Sequence, residues 1–94
     1  MSVGVLLLHF QFPGCHSLKE KRSRLKPLLV RLHREFNISV AEVDLQDVWD
    51  ETIVACALVS NSSAQTQRAL GVIVDWLENN WPEADLLDDK LELL

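Results

Sequence analysis

The spacing of apolar residues divides the chain into six segments. From Val3 to Phe10 both parities are largely apolar, with Val3, Val5 and Leu7 on one side and Leu6, Leu8 and Phe10 on the other. A strand of that kind lies centrally in a sheet. Phe12-Pro13-Gly14 stops it. Ser17-Leu18-Lys19-Glu20 has the spacing of a capping box, and Leu18, Leu25, Leu28, Leu29, Leu32 and Phe36 recur at helical intervals. The pattern predicts a helix over about 18–36. Pro27 falls inside it and removes a backbone bond at a cost of ~3 kcal/mol unless the helix kinks, so a bend is expected between Ser23 and Pro27. Asn37 is a candidate left-handed cap.

Ile38 to Val43 is a short β-rich run, and Asp44-Leu45-Gln46-Asp47 is turn-like. Val48 to Ser60 predicts a second long strand, again apolar on both parities through Ile53, Ala55, Ala57 and Val59 against Val54, Cys56 and Leu58. Ser62 and Gln65 can form a second capping box. Leu70, Ile73, Val74, Leu77 and Trp81 then define a helix that Trp81-Pro82 ends, with Gly71 placed to permit close packing. Val72 and Trp76 lie off its apolar stripe, which suggests that Trp76 caps a sheet edge or touches a partner. Leu87, Leu91 and Leu93, interrupted by Asp and Lys, mark a final edge strand.

The order β-α-β-β-α-β, with right-handed crossovers, specifies one domain spanning residues 1–94. Its fold class is α+β, ferredoxin-like: a four-stranded antiparallel sheet with both helices on one face and the first and third strands central. Two helices cover one sheet face, yet both parities of the central strands are apolar. The uncovered face therefore suggests a homo-oligomer, most simply a two-fold dimer, or a surface covered by long side chains of the hairpin.

Charge alters this picture. Residues 1–41 hold seven bases and two acids, for +5, and residues 42–94 hold two bases and twelve acids, for −10. All seven bases fall on the first helix: Lys19, Lys21, Arg22, Arg24, Lys26, Arg31 and Arg34. Such a stripe attracts phosphate even on a chain of net charge −5, because salt confines the field to ~8–10 Å. It can equally be a solvated helix face, or a surface that meets the acidic part of a second copy.

Other chemistry is sparse. Cys15-His16 has neither the spacing of a zinc site nor an oxyanion device beside it. Cys56 reads as a core residue, and two cysteines make no disulfide scaffold. Glu42, Asp44, Asp47, Asp50 and Glu51 cluster around the hairpin without the spacing of a calcium loop. Three glycines are too few for a phosphate-cradling loop, although the N-terminus of the first helix attracts anions. The third strand has no ring apart from Trp49 at its start, which disfavours base stacking on the sheet. No run approaches the ~20 apolar residues of a membrane helix, and no signal peptide is visible. No metal or cofactor is expected.

Four segments are specific as a set: Pro13-Gly14-Cys15-His16-Ser17-Leu18-Lys19-Glu20-Lys21-Arg22, Phe36 to Asp44, Gln46-Asp47-Val48-Trp49 and Val59-Ser60-Asn61. Together they resemble the DUF503, or YlxP-like, family of small bacterial proteins over nearly the whole chain. The resemblance implies a ferredoxin-like fold, a cytoplasmic protein and no established enzymatic activity. It also implies a gene commonly placed beside those for translation initiation factor 2 and ribosome-binding factor A. Pro27 departs from the family pattern. The leading expectation is a non-enzymatic factor that contacts RNA or the small ribosomal subunit through the seven basic residues. The alternative is a homo-oligomeric module binding protein or a small anion, assembled through the open sheet face. An enzyme using Cys15 or the Glu42, Asp44 and Asp47 carboxylates ranks third.

Overall fold

A computed structural model describes all 94 residues. The elements are β1 (Ser2–Gln11), α1 (Leu18–Glu35), β2 (Ser39–Asp44), β3 (Glu51–Ser60), α2 (Ser63–Asn80) and β4 (Asp85–Leu93). The four strands form one antiparallel sheet in the order β2-β3-β1-β4. This is the ferredoxin-like arrangement, with β1 and β3 central.

Burial alternates strictly along β1, which fixes the direction of each parity. Leu6, Leu8 and Phe10 join Val54 and Cys56 of β3 in a core closed by Leu25, Leu28 and Leu32 of α1 and by Leu70, Ile73 and Leu77 of α2. Val3, Val5 and Leu7, with Ile53, Ala55 and Ala57, point the other way and stay half-exposed. Both helices thus cover one face and leave the second without a layer.

Both helices start as their cap residues dictate. Ser17 Oγ accepts from Glu20 N at 3.1 Å, and Ser62 Oγ accepts from Gln65 N at 3.3 Å. Neither box closes reciprocally. Glu20 reaches back to His16 N instead, at 3.1 Å, and Ser62 N donates to Ser60 Oγ at 3.1 Å. Helix α1 continues through Pro27 as one element. Ser23 and Pro27 both lie on the exposed side, where water can satisfy the carbonyl that proline leaves unpaired. Asn37 is not a left-handed cap: α1 ends at Phe36 with an extended backbone, φ −127°, and only Leu45 and Gly14 have positive φ. Phe36 turns out of the helix to meet the Trp76 ring edge-on, with centroids 5.7 Å apart.

Three further expectations shift. The long strand begins at Glu51 and not at Val48, because Val48 closes a turn, donating its N–H to Leu45 O at 3.0 Å, and the chain bends through residues 49–50, where Asp50 O accepts from Phe12 N at 2.7 Å. In β4 a register shift opposite His9 and Phe10 sets Leu86 half-buried and leaves Leu87 exposed. Trp76 neither caps an edge nor stands free, since it is half-buried between Phe36 and Trp81 in the seam between the helices.

The close-packing glycine is Gly4 in β1, not Gly71 in α2. A Cβ on Gly4 would lie 2.7 Å from Leu70 Cδ1 and against Thr66 Cγ2, whereas a Cβ on Gly71 meets nothing within 4 Å. Thr66 cannot swing aside, because it is buried and its Oγ1 is 2.6 Å from Ser60 Oγ. Gly4→Ala should therefore destabilise the protein by about 1–3 kcal/mol through overpacking. Gly71→Ala should stabilise it by up to about 1 kcal/mol through helix propensity alone. Urea unfolding of the two variants checks both signs.

Candidate nucleic-acid interface on the first helix

The seven basic side chains of α1 do not form a single surface. Buried Lys21, Leu25, Leu28 and Leu32 mark the inward line of the helix. Lys21 is 2% exposed, so it is no part of any interface. Its Nζ donates to Leu45 O at 2.7 Å and Val48 O at 2.8 Å, and lies 2.9 Å from Glu42 Oε2. Three ammonium protons thus meet three acceptors. Thr52 Oγ1 adds a 2.6 Å bond to the same Glu42 oxygen. Leu45, whose carbonyl accepts from Lys21, takes the left-handed conformation, φ 60°, at this turn. The sequence places Lys21 at the edge of the apolar arc; it does not reveal the carbonyls that draw it inside.

Arg24 is also committed to the fold. Its guanidinium donates to Pro13 O at 2.7 Å and Glu83 O at 3.0 Å, and stands 5.3 Å from the centroid of the Phe12 ring. It ties the entry of α1 to the turn before β4. Arg31 is partly engaged, with Nε 2.9 Å from Glu35 Oε1 and its guanidinium over the Trp76 ring at 5.4 Å.

Lys19, Arg22, Lys26 and Arg34 remain. All four are exposed and none forms an ion pair. Lys19, Lys26 and Arg34 lie on the side of α1 away from Lys21 and the buried leucines, and Arg22 lies about a quarter turn from that inward line, so the four fan over about a third of the helix circumference. From Lys19 to Arg34 the set runs about 22 Å, given a rise of ~1.5 Å per residue. At the N-terminus of α1 the chain's own Glu20 carboxylate accepts from His16 N, the amide just ahead of the Ser17 cap.

The remaining candidates are dispersed. Cys15 is buried and its Sγ lies 3.7 Å from Ser17 O, while the adjacent His16 is exposed. Burial pushes the Cys56 thiol up to about 12, so it stays protonated through the physiological range. Of the hairpin carboxylates, Glu42 holds Lys21 and Thr52, Glu51 lies 2.7 Å from His9 Nε2, and Asp44 accepts from Leu45 N. No three His, Cys, Asp or Glu side chains converge on one point. His33 Nδ1 lies 2.9 Å from Ile38 O, at the corner between α1 and β2. Trp49 is 56% exposed at the hairpin. No helix is long and apolar enough to cross a membrane.

Removing the buried ammonium strands two carbonyls and a carboxylate. Lys21→Met should therefore cost about 3–5 kcal/mol, whereas Lys19→Met should stay within about 0.5 kcal/mol. Chemical denaturation of both variants checks the contrast.

Residues 3–90 match the family model described as "Protein of unknown function (DUF503)". The chain is also 39% identical over 69 residues to "Uncharacterized protein YlxP" of Bacillus subtilis (strain 168), a match covering 73% of this chain and 74% of that protein. With the ferredoxin-like order of its elements and a family match over almost its full length, the chain belongs to the DUF503 family.

Proposed function

We propose that the protein is a non-enzymatic binding factor that lays the solvent side of α1 along a phosphate backbone, with RNA or the small ribosomal subunit as its partner. One observation carries this reading. Lys19, Arg22, Lys26 and Arg34 stand exposed and unpaired on the solvent side of one helix, in a chain whose net charge is −5. Unpaired cations grouped in this way suit a polyanion, since each neutralises a phosphate and releases its counterion. Lys21 and Arg24 support the same function indirectly, by fixing α1 to the hairpin and to the turn before β4. Contacts of this kind position a partner without reading its sequence.

The test is co-sedimentation with small ribosomal subunits, and filter binding to structured and unstructured RNA, across a salt series. With four phosphate contacts, affinity should fall about a hundredfold between 50 and 200 mM salt. Reversing Arg22 and Lys26 to Glu should weaken binding at least about tenfold at low salt and flatten the salt slope. These are the informative positions, because reversal of Arg24 would also release the Pro13 and Glu83 carbonyls. Absence of retention at low salt would overturn the reading.

The open sheet face favours a second reading that uses other residues: self-association. Val3, Val5 and Leu7 with Ile53, Ala55 and Ala57 form an apolar surface opposite both helices, so a second copy could dock there while α1 stays accessible.

A further inference from the structure

We infer that the open face is a two-fold interface with a second copy of this chain, in which the bulky row of β1 seats over the small-residue trough of the partner; the inference rests on the self-association reading. The sheet registers define the two rows. Leu7 lies beside Ala55, Val5 beside Ala57, and on the far side of β3 those alanines pair with Ala41 and Ser39 of β2. A ridge of Val5 and Leu7 therefore runs beside a short trough floored by Ala55, Ala57 and Ala41 and closed at its ends by Ile53 and Val59.

A two-fold axis parallel to the strands, above the line between β1 and β3, swaps the two rows. It sets Leu7 over the partner's Ala55 and Val5 over the partner's Ala57, twice over by symmetry. An axis across the strands would instead stack ridge on ridge and trough on trough, which leaves voids. The first geometry interdigitates the two sheets at the centre of the face, at the usual ~10 Å separation.

Area and rim agree with this arrangement. Ten-residue central strands at ~3.3 Å per residue, in a sheet four strands wide, give a footprint of about 600 Å², near the ~800 Å² per partner of a standard interface. The polar positions lie at the margins. On the open face of β4, Lys90 pairs with Leu7 and Glu92 with Val5, and the two side chains form a 3.0 Å ion pair; His9 and Glu51 close the end of the central rows. An apolar centre with a charged border is the usual anatomy of a protein interface. The dimer would carry one basic α1 face on each outer side, giving it two phosphate-binding surfaces.

The test uses the full chain, free of nucleic acid and at high salt, with mass followed by light scattering over a wide concentration range. Wild type should run at twice the chain mass. Ala55→Leu fills the trough and should give a folded monomer. Adding Leu7→Ala to it exchanges ridge and trough and should restore the dimer. The pair Ala57→Leu and Val5→Ala repeats the test at the next register should the first variant fold poorly, with circular dichroism reporting the fold. A wild type that stays monomeric at high concentration overturns self-association altogether. A dimer that survives both trough-filling variants, or double variants that remain monomeric, overturns the facing geometry.

Discussion

A single buried ammonium sets the relation between the first helix and the rest of the sheet. Lys21 Nζ sits among Leu45 O, Val48 O and Glu42 Oε2 at 2.7–2.9 Å. An unpaired charge at that depth would be prohibitive, and here every proton has an acceptor. Satisfying it requires the hairpin to turn two carbonyls inward, which the left-handed backbone at Leu45 accomplishes. It also requires Glu42 to face the helix layer, held there by Thr52. The start of β3 follows: the residues before Glu51 are engaged in this turn and in the Phe12–Asp50 contact, so the strand cannot extend back to Val48.

The same constraint divides the charges of α1. A helix buries one arc, so bases on that arc must find partners inside the protein and bases on the other arc cannot. Lys21 faces in, Arg24 and Arg31 are held against Phe12 and Trp76, and Lys19, Arg22, Lys26 and Arg34 are exposed without a partner. What looks in sequence like one uniform basic segment is three populations with different roles. Only the third has no partner within the chain.

The two uncommitted surfaces lie on opposite sides of the molecule. The basic face crowns the helix layer, and the apolar rows of β1 and β3 floor the sheet. Neither obstructs the other, so phosphate binding and self-association are compatible in one protein. In the acidic hairpin Glu42, Glu51 and Asp44 are taken up singly by Lys21, His9 and the Leu45 amide, and no three of its carboxylates converge on one point.

Most of the fold was legible in the chain. Element order, the Ser17 and Ser62 caps, the central position of β1 and β3, and the excess apolar face all follow from local periodicity and cap chemistry, which act over a few residues. The candidate site was legible only in part. The seven bases could be counted, and Lys21 lay at the edge of the apolar arc, but its acceptors come from residues 24 and 27 positions away. Arg24 likewise meets a carbonyl 59 positions away. The role of Gly4 depends on where α2 crosses β1, and α1 ends at Phe36, whose extended backbone sets its ring against Trp76 one residue before Asn37. The sequence by itself determined periodicity, charge and capping, since these depend on neighbours along the chain. Which cations are free, which glycine is crowded and which face lies open were decided by tertiary structure, because each depends on groups that meet only once the sheet and helices have closed.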